Sequence, residues 1–199
     1  ADRRSGTAGR VCGDGGHEPA GSESGRQLQG VGDVKRVVEI MRDWSGFHRN
    51  LEVTEEYHFT ETDGKVIGEH IGAHFYTVGQ RKGLNIGGYV NPLFIIQINT
   101  DTNTVYVGEG EDHKGLSRPG LLVREEDIHW VKEVDRMKVG DSKHYSTRIR
   151  YRQPLFGATL TKLASGLEIK FDSPQKAVAK GQFAAWYAGD ALVGSGVIS

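Results

Sequence analysis

Beyond about residue 52 the sequence changes rhythm roughly every 8–12 residues. A short segment rich in Val, Ile, Phe, Tyr or Thr gives way to a cluster of Gly, Asp, Asn, Ser or Pro. Strands spaced like this form small barrels or sandwiches. The expectation is an all-β body made of two small domains. The central β domain covers 52–135 and a C-terminal β-barrel covers 136–199, parted in the polar stretch VDRMKVGDS. EYHFTETDGKVIG predicts a hairpin turning at Asp63-Gly64, a type I′ signature. HFYTVG (74–79) reads as a strand, and QRKGLNIGG (80–88) as a basic loop broken by glycines. LFIIQIN (93–99) and VYVGEG form a second hairpin, and GLLVREEDIHWV gives two short strands separated by acidic residues. FGATLTKL pairs with LEIKFD, and QFAAWYAGDALVGSGVIS forms two strands around Gly189-Asp190.

The start of the chain is different. Val34, Val37, Val38, Met41 and Trp44 recur at helical spacing, with Asp33 as N-cap and Gly46 as stop. These predict one short helix, and 33–51 is read as helix and linker. Residues 1–32 contain nine of the 28 glycines and no aromatic, Ile or Met. A segment so poor in apolar surface cannot offset its ordering entropy, so it reads as a disordered tail.

Charge and motif narrow the function. With 25 Lys+Arg against 26 Asp+Glu, net charge predicts no nucleic-acid partner, although a local basic face is still compatible. No apolar run approaches the roughly 20 residues of a membrane helix, and ADRRSGTAGR has no secretory apolar core. The single cysteine, Cys12, forms no internal disulfide, which fits a cytoplasmic location. Its flanking sequence offers no scaffold for a partner base, so it reads as an inert thiol. There is no Walker loop and no Ser-Gly-Gly-x-Asp-Ser pyrophosphatase loop. GLNIGG (83–88) precedes no helix and reads as a turn. His70 and His74 are four apart where turn and strand are expected, His113 and His129 stand alone, and no metal site is expected.

The informative charges lie between Asp141 and Gln182, where eight cations face three anions. In KHYSTRIRYR (143–152), strand alternation would line up Arg148, Arg150 and Arg152 on one face. Three guanidinia in a row suit successive phosphates of a nucleic-acid backbone, and a solvated strand face is the alternative. Tyr151, Gln182, Trp186 and Tyr187 add stacking and hydrogen-bonding groups. Arg81 and Lys82 form a second, shorter basic element.

GKVIGEHIGAHFYTVGQRKGLNIGG (64–88) strongly resembles a signature of the bacterial tRNA 2-thiouridylases. LFIIQIN, EDIHWV, RIRYRQP, FDSPQKAVAKGQFAAWY and LVGSGVIS follow in the family's order, so the resemblance covers about 52–199. It implies a central β domain and a C-terminal barrel like those of translation elongation factors, both helping to hold tRNA. It further implies a pyrophosphatase-loop domain that uses ATP to adenylate the wobble uridine of Lys, Glu and Gln tRNAs. Sulfur would come from a persulfide-carrying relay protein, through two catalytic cysteines. By this resemblance Arg150 and Tyr151 match the tRNA-contacting Arg-Tyr pair, and Gln182 a tRNA-contacting glutamine; Arg148, Arg152, Arg81 and Lys82 are further candidates. Where the family carries its persulfide cysteine, this chain reads QLQGVGDV, so no catalytic residue, cofactor or metal ligand is assigned in it. The chain thus looks like the tRNA-docking half of such an enzyme, inactive alone. A non-enzymatic RNA-binding module and, more weakly, a barrel that docks protein partners are the other readings.

Overall fold

The computed structural model describes residues 35–48 and 52–199, and the tail expected over 1–32 lies outside them. The described chain is all-β as expected, ten strands joined by coil and short 3-10 turns. No helix among the described residues is long and apolar enough to cross a membrane.

β1 (Arg36–Glu39), β2 (Lys65–Glu69), β3 (Leu93–Asn99) and β4 (Thr104–Glu109) form one sheet in the order β2-β1-β4-β3. The helix expected over 34–44 is not formed over the described residues 35–44, because its heart is β1, a central strand. β1 runs antiparallel to β2 and parallel to β4, with Val37 opposite Val105 and Val38 opposite Tyr106. Adjacent strand residues face opposite sides. Val37 joins Ile95, Val105 and Val107 under Tyr76 and Leu84, while Val38 joins Ile96 and Tyr106 under Phe47, Phe59 and Leu116. A strand covered on both faces shows an apolar run rather than alternation, and here that run imitated a helical stripe.

Two further expectations fail in this domain for local reasons. The hairpin at Asp63-Gly64 does not form, because Asp63 caps a 3-10 turn instead (Glu61–Asp63). Its carboxylate accepts from the Thr60 N–H at 2.7 Å and from Trp44 Nε1 at 3.1 Å. The strand expected at 74–79 begins as a 3-10 turn, Ala73–Phe75. Before it, His70 Nδ1 accepts the Gly72 N–H at 2.9 Å, and His70 Nε2 donates to the Asn103 carbonyl at 2.9 Å. The β3–β4 hairpin is found as expected.

β5 (Ser117–Trp130), β6 (Ser142–Arg148), β7 (Phe156–Leu163), β8 (Gly166–Lys176), β9 (Phe183–Ala188) and β10 (Ala191–Ile198) close a barrel in the order β10-β5-β8-β7-β6-β9. Trp186, Leu121, Leu160, Leu167, Ile169 and Ile198 fill its interior. The β7–β8 and β9–β10 hairpins match the sequence reading. β5 does not, being one strand of 14 residues where two were expected. It pairs with β8 up to Arg124 and with β10 from Val123 to Trp130. The exposed Arg124, Glu125 and Glu126 mark this change of partner, not a break. Pro119, which has no N–H to donate, sits where the β5–β8 register shifts. The closed barrel thus starts at Ser117, on the central-domain side of the division expected near 135.

Candidate nucleic-acid interface

The row of arginines is not formed, because β6 stops at Arg148. Its ladder with β9 ends at Arg148–Ala185. The N–H of Ile149 goes instead to Gln153 Oε1 at 3.3 Å, and the Gln153 N–H returns to the Arg150 carbonyl at 3.1 Å. Pro154 follows and cannot extend a ladder. Residues 149–153 are therefore a turn, so the alternation that would oppose Arg150 and Tyr151 does not apply to them.

The turn gives the three guanidinia different surroundings. Arg148 Nη1 donates to the Tyr151 carbonyl at 3.1 Å, and its Cζ lies 5.4 Å from the Tyr187 ring centroid, a cation–π contact. Arg150 Nη2 donates to the carbonyls of Lys176, at 3.1 Å, and Ala177. Arg152 is exposed, with no hydrogen-bond or ion-pair partner among the described residues. Tyr151 is 89% exposed. Arg150, Arg152, Gln153, Pro174, Gln175 and Lys176 line an open groove of about 560 Å³. Gln153 Nε2 donates to Gln175 Oε1 at 3.0 Å across it. These two glutamines had no signal in the sequence, since only the turn brings them together.

Gln182 lies just before β9. Its N–H donates to the Ala179 carbonyl at 3.3 Å and its carbonyl accepts from Ile198 at 2.8 Å. Its side-chain Oε1 is buried without a hydrogen-bond partner. No hydrogen bond joins Gln182 to Arg150; Arg150 holds one end of the segment 176–182 and Gln182 occupies the other. Trp186, offered for stacking, is instead fully buried in the barrel core.

The side chains of Arg81 and Lys82 are exposed and have no partner among the described residues. Gln80 shapes their loop: Oε1 accepts the Thr77 N–H at 3.1 Å and Nε2 donates to the Lys82 carbonyl at 2.8 Å. Arg118, by contrast, is a buried cation between the domains. Glu56 Oε1 lies 3.7 Å from Arg118 Nη1 and 3.0 Å from Lys180 Nζ. Burial holds the Arg118 pKa below the usual arginine value, partly offset by the Glu56 charge.

Among the described residues, no three His, Cys, Asp or Glu side chains converge. His113 is locked like His70, with Nδ1 accepting from the Gly115 N–H at 3.2 Å and Nε2 donating to the Ile40 carbonyl at 3.0 Å. Cys12 lies outside the described residues.

Residues 48–109 match the family profile of the tRNA methyl transferase PRC-barrel domain, and residues 121–198 that of the aminomethyltransferase beta-barrel domain. The second match starts inside β5, in agreement with its place in the barrel. The tRNA-specific 2-thiouridylase MnmA of Flavobacterium johnsoniae is 53% identical over 136 residues, 68% of this chain and 34% of the relative. The protein of the same name from Christiangramia forsetii is 44% identical over 147 residues, 74% of this chain and 37% of the relative. That from Chlamydia trachomatis serovar L2 is 41% identical over 135 residues, 67% and 36%. The chain therefore spans about a third of the length of the curated relatives it matches.

Proposed function

Since the chain belongs to the tRNA-specific 2-thiouridylase family, represented here by two β domains, we propose that it is the tRNA-binding half of such a sulfurtransferase. The observation that carries this reading is the turn after β6. It presents an unpaired Arg152 at a groove rimmed by Arg150 and Lys176, and between the two arginines of the turn an almost fully exposed Tyr151. Arg152 and Lys176 supply cations for phosphate oxygens, and Arg150 retains Nε and Nη1 for the same purpose. Tyr151 offers a stacking face to an unpaired base, as single-stranded RNA requires. Gln182 stands at the far end of the same segment, with Arg148 holding the turn in shape. Arg81 and Lys82 add the second basic element. The family chemistry then divides in space. Adenylation of a wobble uridine with ATP, and sulfur delivery from a persulfide carrier in the cytoplasm, belong to residues outside these two domains.

Fluorescence anisotropy of a labelled tRNA, titrated with the full chain across salt concentrations, tests the reading. Arg152→Ala is expected to weaken binding several-fold for all tRNA sequences alike and to make the salt slope shallower by about one. Unchanged affinity and slope would return the turn to a solvated surface. Incubated with tRNA, ATP and a persulfide donor, the chain is expected to make no 2-thiouridine; its appearance would place catalysis within this chain.

A further inference from the structure

The guanidinium of Arg150 does not merely rim the groove. It is bonded to backbone, and what packs against that backbone belongs to the other domain. Ala177, whose carbonyl accepts from Arg150, has φ 54, a left-handed conformation that alanine adopts reluctantly. Two bonds hold it there, the one from Arg150 and the one its own N–H donates to the Leu116 carbonyl at 2.7 Å. Against its methyl lies Gly79 of the central domain. A Cβ at Gly79 would sit 2.2 Å from the Ala177 Cβ and 3.7 Å from Arg150 Nη2, and Gly79 has φ 84, so only glycine fits. Gly79 is itself fastened to β3, its N–H donating to the Ile95 carbonyl at 2.7 Å, while the Ile95 N–H donates to the Gln80 carbonyl at 3.0 Å. Gln80 is followed by Arg81 and Lys82, whose charged side chains are exposed and unpaired among the described residues.

We infer that Arg150 is a positioning residue that sets the register between the barrel turn 149–153 and the central-domain loop 80–82, so that one RNA backbone is contacted across the domain junction. Arg152 and Lys176 hold it on the barrel side, and Arg81 and Lys82 on the other. The inference rests on the tRNA-binding reading for its ligand, but not for the register itself. A planar guanidinium can reach two successive carbonyls from one fixed plane, whereas a lysine ammonium is a point charge on a flexible stem. Charge alone therefore cannot replace Arg150.

The experiment compares Arg150→Lys, Arg150→Ala, the pair Arg81→Ala/Lys82→Ala and the combination of that pair with Arg150→Ala in the full chain, by tRNA anisotropy and by amide hydrogen exchange. Arg150→Lys is expected to bind as weakly as Arg150→Ala, about tenfold below the unmodified chain, despite keeping its charge. Removing Arg81 and Lys82 is expected to cost several-fold in the unmodified chain and much less once Arg150 is alanine, because contacts that share a register are not additive. Exchange at the Ala177 and Gly79 amides is expected to accelerate in Arg150→Lys. Wild-type affinity of Arg150→Lys, or fully additive losses, would overturn the inference. If the unmodified chain shows no salt-dependent tRNA binding, the functional reading fails instead, and the register is then judged by exchange alone. Faster exchange in Arg150→Lys upholds it, and unchanged exchange at Ala177 overturns it.

Discussion

The central sheet and the barrel bury their strands in opposite ways. In the barrel, each strand sends one face inward to a single cluster around Trp186 and leaves the other to solvent or to neighbouring loops. Along β7, Ala158, Leu160 and Lys162 are buried, and the residues between them are only partly so. The central sheet has no closed interior. Its strand β1 is covered on both faces by irregular segments that carry Tyr76 and Leu84 on one side, and Phe47, Phe59 and Leu116 on the other. The barrel therefore draws its core from its own strands, whereas the sheet depends on coil and 3-10 turns to complete two cores. Such turns need their own fastenings, and His70 and His113 supply them from side-chain nitrogens.

The largest effect that would break this contrast lies at the barrel centre. Trp186→Ala removes a fully buried indole and is expected to cost about 3–5 kcal/mol in urea unfolding. A loss under about 1 kcal/mol would mean that the barrel interior is not a single packed core. A sharper comparison uses neighbouring residues. Val37→Ala and Val38→Ala are each expected to cost about 2 kcal/mol, because both side chains are fully buried although they point to opposite faces. Along β7, Leu160→Ala should cost at least as much, while Thr161→Ala stays within about 0.5 kcal/mol. If Val37 and Val38 behaved as unequally as Leu160 and Thr161, β1 would be a one-faced strand.

The smallest effect follows from pH. Burial lowers the pKa of both His70 and His113 from 6.5, and their hydrogen bonds fit the neutral ring. Below 6.5 the unfolded chain then binds more protons than the folded one, so stability falls with pH. The contribution is complete above about pH 6.5 and is lost as pH drops from there toward the depressed folded-state values. Both rings belong to the central domain, while His129 and His144 of the barrel are exposed. Amide exchange is therefore expected to accelerate in β1 and β4 before β7 and β8 as pH falls from 7 to about 5. Equal acceleration in both domains would show that the two histidines do not carry the difference.

Features that depend on near neighbours were legible in the linear order of residues. The β3–β4, β7–β8 and β9–β10 hairpins join consecutive strands, so turn residues such as Gly189-Asp190 and the flanking apolar segments sufficed to reveal them. The order of motifs from GKVIG to LVGSGVIS was likewise enough to identify the family, since motif order needs no coordinates. Tertiary structure decided whatever depends on a distant partner. β1 is a strand because β4, more than 60 residues later, pairs with it in parallel and both its faces are covered. β5 remains one strand through its acidic stretch because β10 takes over where β8 leaves off. At the candidate site, the residue types Arg150, Tyr151 and Arg152 were legible but their arrangement was not. A period-two pattern continues only while a neighbouring strand accepts its N–H groups; past Arg148, Gln153 takes that bond and Arg150 turns to the carbonyls of Lys176 and Ala177.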